Sequence, residues 1–474
     1  MSTRRSLAVT VLCLLWLSTT SLVATPKAFG QCSKPTDSKA GTGSAASTAP
    51  AALPDTPGGR CAAAFFEAFN AGDDDRMRDF ERRYRAASAL AKRPIQDRIE
   101  QANGLRADFG SLTPLRVVNA GTTEFAILAR SSRTGDGFML TFQLEDQPPH
   151  GLVSIRIGGP VPPEAEARFT EPIDEALRRD TIKQIAETLR ESYVYPEVGE
   201  QMAKDLAKYE SEGRYSDVAS SGDLAQRLTA DLFAVCKDYH LTIEPGAGRA
   251  YRATCAPDAG DSRDERGYGF RKVERLPGNI GYVKFDAFDA GERAQGVAAA
   301  ALAFVAGCDA LVFDLRENGG GSPEMIRFIS SYLFDKPTHL NSFYDRLNNK
   351  TSETWTLDTV PGRRFPNDLP VYVLTSSFTG SAAEEFTYNL KNLGRAVVVG
   401  ETTVGAAHLV TGRIINGRFL VRVPYARAYN PITKKNWEGV GVSPDIPVPA
   451  SEALDAACKD AADKVSARRQ ARGS

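Results

Sequence analysis

The chain has 474 residues, of which 42% are hydrophobic and 25% are charged. This composition is typical of globular protein and excludes a wholly disordered chain, a collagen and a coiled coil. The formal net charge of −1 excludes a whole-chain basic field for nucleic acid or an anionic membrane, so we expect no nucleic-acid partner. The length predicts about three domains.

An export signal is predicted at residues 1–30. Arg4 and Arg5 precede an apolar run, and its strongly apolar part, 7–17, is shorter than the roughly 20 residues that span a bilayer. Small residues follow, ending at Gly30, as a cleavage site requires. We therefore expect an exported protein, periplasmic or secreted, with no integral membrane anchor once the signal is removed. A retained anchor is the weaker alternative.

A linker and a small domain are predicted next. Residues 31–60 are mostly Ala, Ser, Thr, Gly and Pro, which cannot bury enough apolar surface to fold, so we expect a disordered linker. Residues 61–165 begin with helical periodicity and end in alternating patterns such as 124–128 and 138–142, which predicts a small α+β domain. Its order and size resemble the cone fold of SnoaL-like proteins.

A helical lobe and an α/β core are predicted for the remaining chain. Residues 166–255 have apolar positions at helical spacing, and residues 256–457 alternate apolar strands with helical stretches, as in a largely parallel sheet. The expected strands are 280–285, 310–315, 371–375 and 396–399. Residues 458–474 are expected to form a C-terminal tail.

Six cysteines remain after the predicted signal. A disulfide between Cys236 and Cys255 is our hypothesis, because an oxidising compartment permits disulfides and the separation is short; buried free thiols are an equal alternative. The sequence has no CxxC motif, so we expect no zinc site. The run from Asp73 to Asp75 is interpreted as a solvated helix start rather than a metal site, and no metal is expected.

A glycine-rich strand end is the first candidate for chemistry. The segment from Asp314 to Gly321 runs from a buried strand into three glycines, where backbone amides can approach a substrate oxygen without an intervening side chain. A simple turn is the alternative. The segment matches neither the dinucleotide nor the phosphate-loop motif, and no cofactor is expected.

A serine at a helix start is the second candidate. Strand 371–375 leads through a turn to Ser381, where helix-start amides would stabilise an oxyanion. The alternative is a capping box, because Glu384 stands three residues after Ser381.

A serine nucleophile needs a base, and the chain has four histidines. His150 and His339 stand near prolines and are interpreted as peripheral. His240 lies between the helical lobe and a strand, so it is the candidate base, and His408 is the fallback. Packing alone is the alternative role for His240.

Together these motifs resemble the tail-specific, or C-terminal processing, serine peptidases, in the branch that contains the tricorn protease core and the interphotoreceptor retinoid-binding protein repeats. The resemblance covers about residues 171–457 and implies a ClpP/crotonase-like α/β core with an N-terminal helical lobe. In chain order its motifs are Tyr193 to Pro196, Asp238 to Leu241, Asn279 to Phe285, Asp314 to Gly321, Thr379 to Glu384, Gly400 to Thr402 and Glu438 to Ile446.

The resemblance implies roles for individual residues. Ser381 matches the nucleophile, His240 the general base, and Glu438 the acid that helps to hold the base. The oxyanion hole would comprise Gly320, Gly321 and the amide of Ala382.

Two departures from the family pattern concern the base. The lysine of the processing branch falls at Ala406, which excludes a Ser–Lys dyad, and Tyr239 stands where the tricorn branch has a serine before its histidine. We therefore keep Glu401 and Tyr239 as second candidates for orienting His240. The segment that follows His240 is also too short for the PDZ domain of the processing peptidases.

These inferences predict an exported serine peptidase that hydrolyses a peptide or an unfolded protein through an acyl-enzyme on Ser381. The alternative is a catalytically weak or inactive homologue that binds a lipid or a peptide in the same cleft. The substrate, the cleavage preference and the oligomeric state remain open at this point.

Overall fold

The computed structural model describes residues 51–121, 123–161, 168–246 and 267–473. The predicted export signal and Cys255, one partner of the hypothesised disulfide, lie outside these residues. Within them, no helix is long and apolar enough to cross a membrane.

Four helices and a four-stranded antiparallel sheet form the first folded region, which agrees with the predicted α+β domain. The helices are α1 (Pro57–Ala71), α2 (Asp74–Tyr84), α3 (Ala87–Lys92) and α4 (Ile95–Phe109). The strands pair in chain order and are β1 (Leu112–Ala120), β2 (Glu124–Ser131), β3 (Gly137–Leu144) and β4 (Leu152–Val161). The ring of Phe65 in α1 contacts those of Phe80 and Phe142, so the helices and the sheet share one core.

The start of this region differs from the predicted boundary at residue 61. Helix α1 begins at Pro57, and the Thr56 side chain caps it by accepting a hydrogen bond from the Gly59 amide at 3.1 Å. The end of the predicted linker is therefore already helical, because a proline at the first helical turn and a threonine cap favour helix initiation. Asp73 caps α2, as expected of a solvated helix start.

Three helices form the predicted helical lobe: α5 (Glu175–Ser192), α6 (Pro196–Ser211) and α7 (Ser221–Cys236). Side chains of Asp174 and Ser220 cap α5 and α7. The apolar faces of the three helices, with Ile185 and Leu228 fully buried, pack around one core that also includes Phe419 of a later strand. The lobe is thus attached to the rest of the chain by its hydrophobic core.

The central six-stranded sheet is the predicted α/β core. Its strands are β6 (Phe270–Leu276), β7 (Ile280–Phe285), β8 (Ala310–Asp314), β11 (Val371–Thr375), β12 (Val397–Gly400) and β15 (Ile446–Pro447). Their order is β15-β12-β11-β8-β7-β6, and every neighbouring pair is parallel except β6 with β7. Helices pack on one face: α8 (Glu292–Val305), α9 (Pro323–Ser330) and α10 (Ala382–Asn392).

The opposite face of this sheet is covered by α11 (Ala453–Gly473). Ala457, Ala461 and Val465 of this helix are buried against β8 and β11. The prediction of a tail at 458–474 is therefore wrong, because successive turns of this helix are buried in the core.

A second, five-stranded sheet was not predicted. It contains β5 (Thr242–Pro245), β9 (His339–Asp345), β10 (Lys350–Trp355), β13 (His408–Ile415) and β14 (Phe419–Tyr429). The long strand β14 pairs with β13 along one edge and with β5 and β9 along the other, always antiparallel. This pairing brings His240, two residues before β5, towards His408, the first residue of β13.

Two phenylalanines, one buried and one exposed, allow a test of packing in the core of the central sheet. Phe313 is fully buried between two other aromatic rings, whereas Phe304 is 53% exposed. We expect Phe313→Ala to lower the free energy of unfolding by about 3 to 5 kcal/mol, because it leaves a cavity. Phe304→Ala is the matched control and should cost less than about 1 kcal/mol. Urea denaturation followed by circular dichroism measures both, and equal losses would contradict this packing.

Candidate active site

Ser381 lies in a strained turn between β11 and α10. Its backbone angles are φ 53° and ψ −118°, a left-handed conformation that non-glycine residues rarely adopt. Strain of this kind persists only where surrounding contacts hold it, and it is concentrated at functional sites. A Cβ atom on Gly320 would meet Ser381 Cβ at 2.7 Å, so the glycine segment approaches the serine as closely as its lack of side chains allows.

Glu384 holds the Ser381 turn. Its buried carboxylate accepts hydrogen bonds from the Ser381 amide at 2.8 Å and the Thr403 hydroxyl at 2.5 Å. It also accepts from the amides of Gly405 at 2.6 Å and Ala406 at 2.9 Å. Burial raises the pKa of Glu384, and these donors act in the opposite direction by stabilising the charged form. The hydrogen bond from the Ser381 amide to the Glu384 carboxylate is one of the two contacts expected of a capping box. The same carboxylate joins the serine turn to loop 403–406.

His240 is the residue that contacts the serine side chain. The distance from His240 Nε2 to Ser381 Oγ is 3.2 Å, within hydrogen-bond reach. The helical lobe and β5 place the imidazole at this point, while β11 and α10 place the hydroxyl. Burial lowers the pKa of His240 below its ordinary value of 6.5, although the charge of Asp238 opposes that effect. The imidazole is therefore held in the neutral form that can accept a proton at neutral pH.

The three expected oxyanion-hole residues are placed differently from one another. The Gly320 amide donates to Asn318 Oδ1 at 2.9 Å and is already engaged. Gly321 and Ala382 line a small cavity of about 20 Å³ together with Ser381 and Trp437. Gly321 has φ 139°, and a Cβ there would lie 2.3 Å from the Phe288 carbonyl oxygen, so only glycine fits.

Glu438 was expected to hold His240, and the structure places it elsewhere. Its carboxylate accepts a hydrogen bond from the Ala407 amide at 2.6 Å and lies 3.4 Å from His408 Nδ1. Burial raises the pKa of Glu438 above its ordinary value. Glu438 therefore does not hold His240 as predicted, because its carboxylate contacts His408 and the Ala407 amide instead.

Glu401 and Tyr239, the alternative candidates for orienting His240, contact other residues instead. Glu401 accepts hydrogen bonds from the amides of Ser377 at 2.9 Å and Ala450 at 3.2 Å. Tyr239 is 48% exposed, and its ring packs on Phe233. The buried Nδ1 atom of His240 has no hydrogen-bond partner among the described residues.

An Asp–His pair beside the base was not predicted from the sequence. Asp238 Oδ2 and His408 Nδ1 are 2.7 Å apart, and both side chains are 1% exposed. Burial alone would raise the pKa of Asp238, but the hydrogen bond and charge of His408 hold it below its ordinary value. The sequence contained two hints of this pair: an aspartate two residues before His240, and His408 as the alternative candidate base. The contact itself depends on the strand pairing of the second sheet, which the sequence did not predict.

Asp238, His408 and Glu438 have one ligand-type atom each within 4.8 Å of the others, the geometry that a metal ion would need. However, Asp238 is an ionised acceptor, so His408 Nδ1 carries the proton that it donates to Asp238. In this structure the three residues form a hydrogen-bonded cluster around Asp238 and His408.

A larger cavity of about 480 Å³ lies on another part of the core. It is lined by the starts of β11 and β12 and by charged side chains such as Lys391, Arg395 and Arg468. Ser381 follows the opposite, carboxyl end of β11, where ligands of parallel sheets bind. We therefore place the chemistry at the small cavity and not at the large one.

Two family models match the sequence of this chain. Residues 279–448 match the sequence model of peptidase family S41, and residues 176–261 match the model of the N-terminal domain of that family in eukaryotic IRBP. The two matches together cover more than half of the chain and contain Ser381, His240 and Glu438. The chain belongs to peptidase family S41.

Individual S41 relatives are distant in sequence. The chain is 22% identical to the tricorn protease of Thermoplasma acidophilum over 264 residues, which is 51% of this chain and 23% of that protein. It is 30% identical to the chloroplastic carboxyl-terminal-processing peptidase 2 of Arabidopsis thaliana over 185 residues, or 37% of this chain and 34% of the relative. The chain thus matches 23% and 34% of the length of these two relatives.

One solved structure aligns with part of this chain. The photosystem II D1 C-terminal processing protease is 16% identical and aligns over 62% of this chain and all of its own, with a TM-score of 0.41. The α/β core with an N-terminal helical lobe is confirmed by the strands and helices described above.

A conservative change at Glu384 tests the support of the serine turn. In Glu384→Gln, the side-chain NH2 group replaces one of the two carboxylate oxygens. The amides that donated to that oxygen lose their acceptor and face another donor instead. We expect a loss of about 2 to 4 kcal/mol in the free energy of unfolding. Glu292→Gln, exposed in the first turn of α8, is the matched control and should change it by less than about 0.5 kcal/mol. Equal denaturation midpoints for the two variants would contradict the assigned role.

Proposed function

We propose that this chain is an exported serine peptidase that hydrolyses peptide bonds through an acyl-enzyme on Ser381. The observation that carries the proposal is the 3.2 Å contact between Ser381 Oγ and His240 Nε2. Membership of a peptidase family makes a peptide or an unfolded protein the substrate class. Export rests on the apolar, twin-arginine segment at the start of the chain.

In the proposed reaction, neutral His240 accepts the Ser381 hydroxyl proton as the oxygen attacks the peptide carbonyl. The tetrahedral intermediate then collapses, and the imidazolium donates its proton to the leaving amine. Water repeats the sequence on the acyl-enzyme and releases the new carboxyl terminus. The lowered pKa of His240 supports this role because the base must be unprotonated at the start of each step.

The developing oxyanion would be stabilised at the start of α10. Ser381 stands at the amino end of this 11-residue helix, where amides point outward and the helix dipole is positive. The Ala382 amide and Gly321 border the same cavity as Ser381. We assign the oxyanion hole to these two, because the Gly320 amide is engaged by Asn318.

Exposed apolar side chains near the site favour a polypeptide substrate. Phe378 is 47% exposed, Val440 69% and Tyr239 48%, and each stands within three residues of Ser381, Glu438 or His240. Exposed apolar side chains often mark surfaces that bind another polypeptide.

A noncatalytic binding module is the second candidate function. One observation favours it: the buried Nδ1 of His240 has no hydrogen-bond partner in the described part of the chain, whereas efficient serine hydrolases orient that nitrogen. Such a module would bind a peptide or a lipid in the cleft beside Ser381 without cleaving it.

Replacement of the serine distinguishes the two functions. We expect Ser381→Ala to abolish hydrolysis of a peptide library and labelling by a fluorophosphonate probe, because both need an activated hydroxyl. The melting temperature should change little. Ser377→Ala is the matched control, since Ser377 is exposed four residues earlier, and it should keep both activities. Unlabelled wild-type protein would favour the binding module and contradict the peptidase.

The pH dependence of hydrolysis tests the base. Because burial lowers the pKa of His240, kcat/KM should rise with pH and reach half of its plateau below pH 6.5. Activity is lost as the pH falls through that midpoint, since the protonated imidazole cannot accept the serine proton. A midpoint above pH 6.5 would show that His240 is not the titrating base.

A further inference from the structure

The position of Asp238 links the proposed base to a second histidine. Asp238 Oδ1 accepts a hydrogen bond from the His240 backbone amide at 2.9 Å, and Oδ2 accepts from His408 Nδ1 at 2.7 Å and from the Tyr193 hydroxyl at 3.2 Å. A buried carboxylate with three donors is ionised and fixed in orientation. Its negative charge therefore lies beside the base at a constant distance.

The structure assigns Asp238 and His408 as the positioning pair of His240, in place of the acid that normally contacts the ring of a catalytic histidine. This inference rests on the proposed function, in which His240 becomes an imidazolium in the transition state. The fixed Asp238 charge stabilises that imidazolium, and the backbone contact holds the residue opposite Ser381. Both side chains are 1% exposed, and their role is to position His240 and to stabilise its charge.

His408 is needed because Asp238 would otherwise be a buried charge with too few partners. An isolated carboxylate in an apolar interior becomes protonated or turns away. Strand β13 supplies the His408 donor from the second sheet, 170 residues along the chain, and the Tyr195 ring packs edge-on against the imidazole. The base is thus assembled only when the helical lobe and the second sheet are joined.

Other charged or titratable groups surround the pair on every packed element. Tyr193 and Cys236 face Asp238 from the helical lobe, and Glu438 faces His408 from the loop before β15. The remaining groups that act on the cluster are Tyr195, Arg427, Tyr429 and Glu384. These groups are unchanged in the variants below, so a shift in the titration of His240 reports on the substituted side chain.

Asp238→Asn removes the charge while keeping an oxygen acceptor for the His240 amide. We expect the midpoint of the His240 ring titration, followed by NMR with labelled histidine, to fall by about one pH unit. We expect kcat to fall at least about tenfold with KM little changed, and the acidic limb of kcat/KM to move to lower pH. Four histidines in the chain make the assignment tractable, with His240→Gln as the reference spectrum.

Asp231→Asn is the matched control. Asp231 also lies in the helical lobe and also accepts a tyrosine hydroxyl, that of Tyr215 at 2.7 Å, but its other partner is Arg214 and not a residue of the site. This variant should leave the His240 midpoint and kcat within twofold of wild type. His408→Gln keeps a donor for Asp238 and should retain more activity than His408→Ala, which leaves the carboxylate without that donor.

The NMR midpoint separates this inference from the proposed function. An unchanged His240 midpoint in folded Asp238→Asn protein overturns the positioning pair, whether or not the wild type cleaves peptides. A lowered midpoint in Asp238→Asn protein, combined with a wild type that neither cleaves peptides nor reacts with the probe, supports the electrostatic pair and overturns the peptidase. Equal activity of His408→Gln and His408→Ala would also count against the pair.

Discussion

The contact between Ser381 and His240 joins two parts of the chain 141 residues apart, and the rest of the architecture serves to form it. The central parallel sheet ends β11 at the turn that presents the serine. The helical lobe and the second sheet place the histidine opposite to it. Because each partner belongs to a different sheet, the site depends on the shared core formed by the lobe and β14, in which Phe419 is fully buried.

Two buried carboxylates hold the two partners in place. Glu384 accepts four donors and fixes the strained Ser381 backbone to loop 403–406, while Asp238 accepts three donors and fixes the His240 backbone. Buried charges cost free energy unless donors surround them, so such networks are stable only when complete. Two of the buried ionisable side chains in the described part of the chain therefore lie where the geometry of the site is set.

Much of the central fold follows from local sequence patterns, whereas the site is only partly predictable. Short apolar runs predicted β7, β8, β11 and β12 because buried parallel strands consist of continuous apolar residues. Strands β9, β10, β13 and β14 carry mixed polar patterns, and the pairings of β14 with β5 and β9 join segments that are far apart in the chain, so the second sheet was missed. Because that sheet was not predicted, Glu438 was assigned to His240 only from the order of the family motifs. The contacts of His408 with Asp238 and Glu438 were missed for the same reason.

The central claim is that Ser381 attacks a carbonyl with His240 as its base. The most direct test is to mix the protein with a peptide p-nitrophenyl ester, quench with acid within milliseconds, and measure the intact mass and the modified peptide by mass spectrometry. The account predicts an acyl adduct on Ser381 that forms in wild-type protein and is strongly reduced in His240→Gln. An adduct on another residue, or equal acylation of the two proteins, would contradict it.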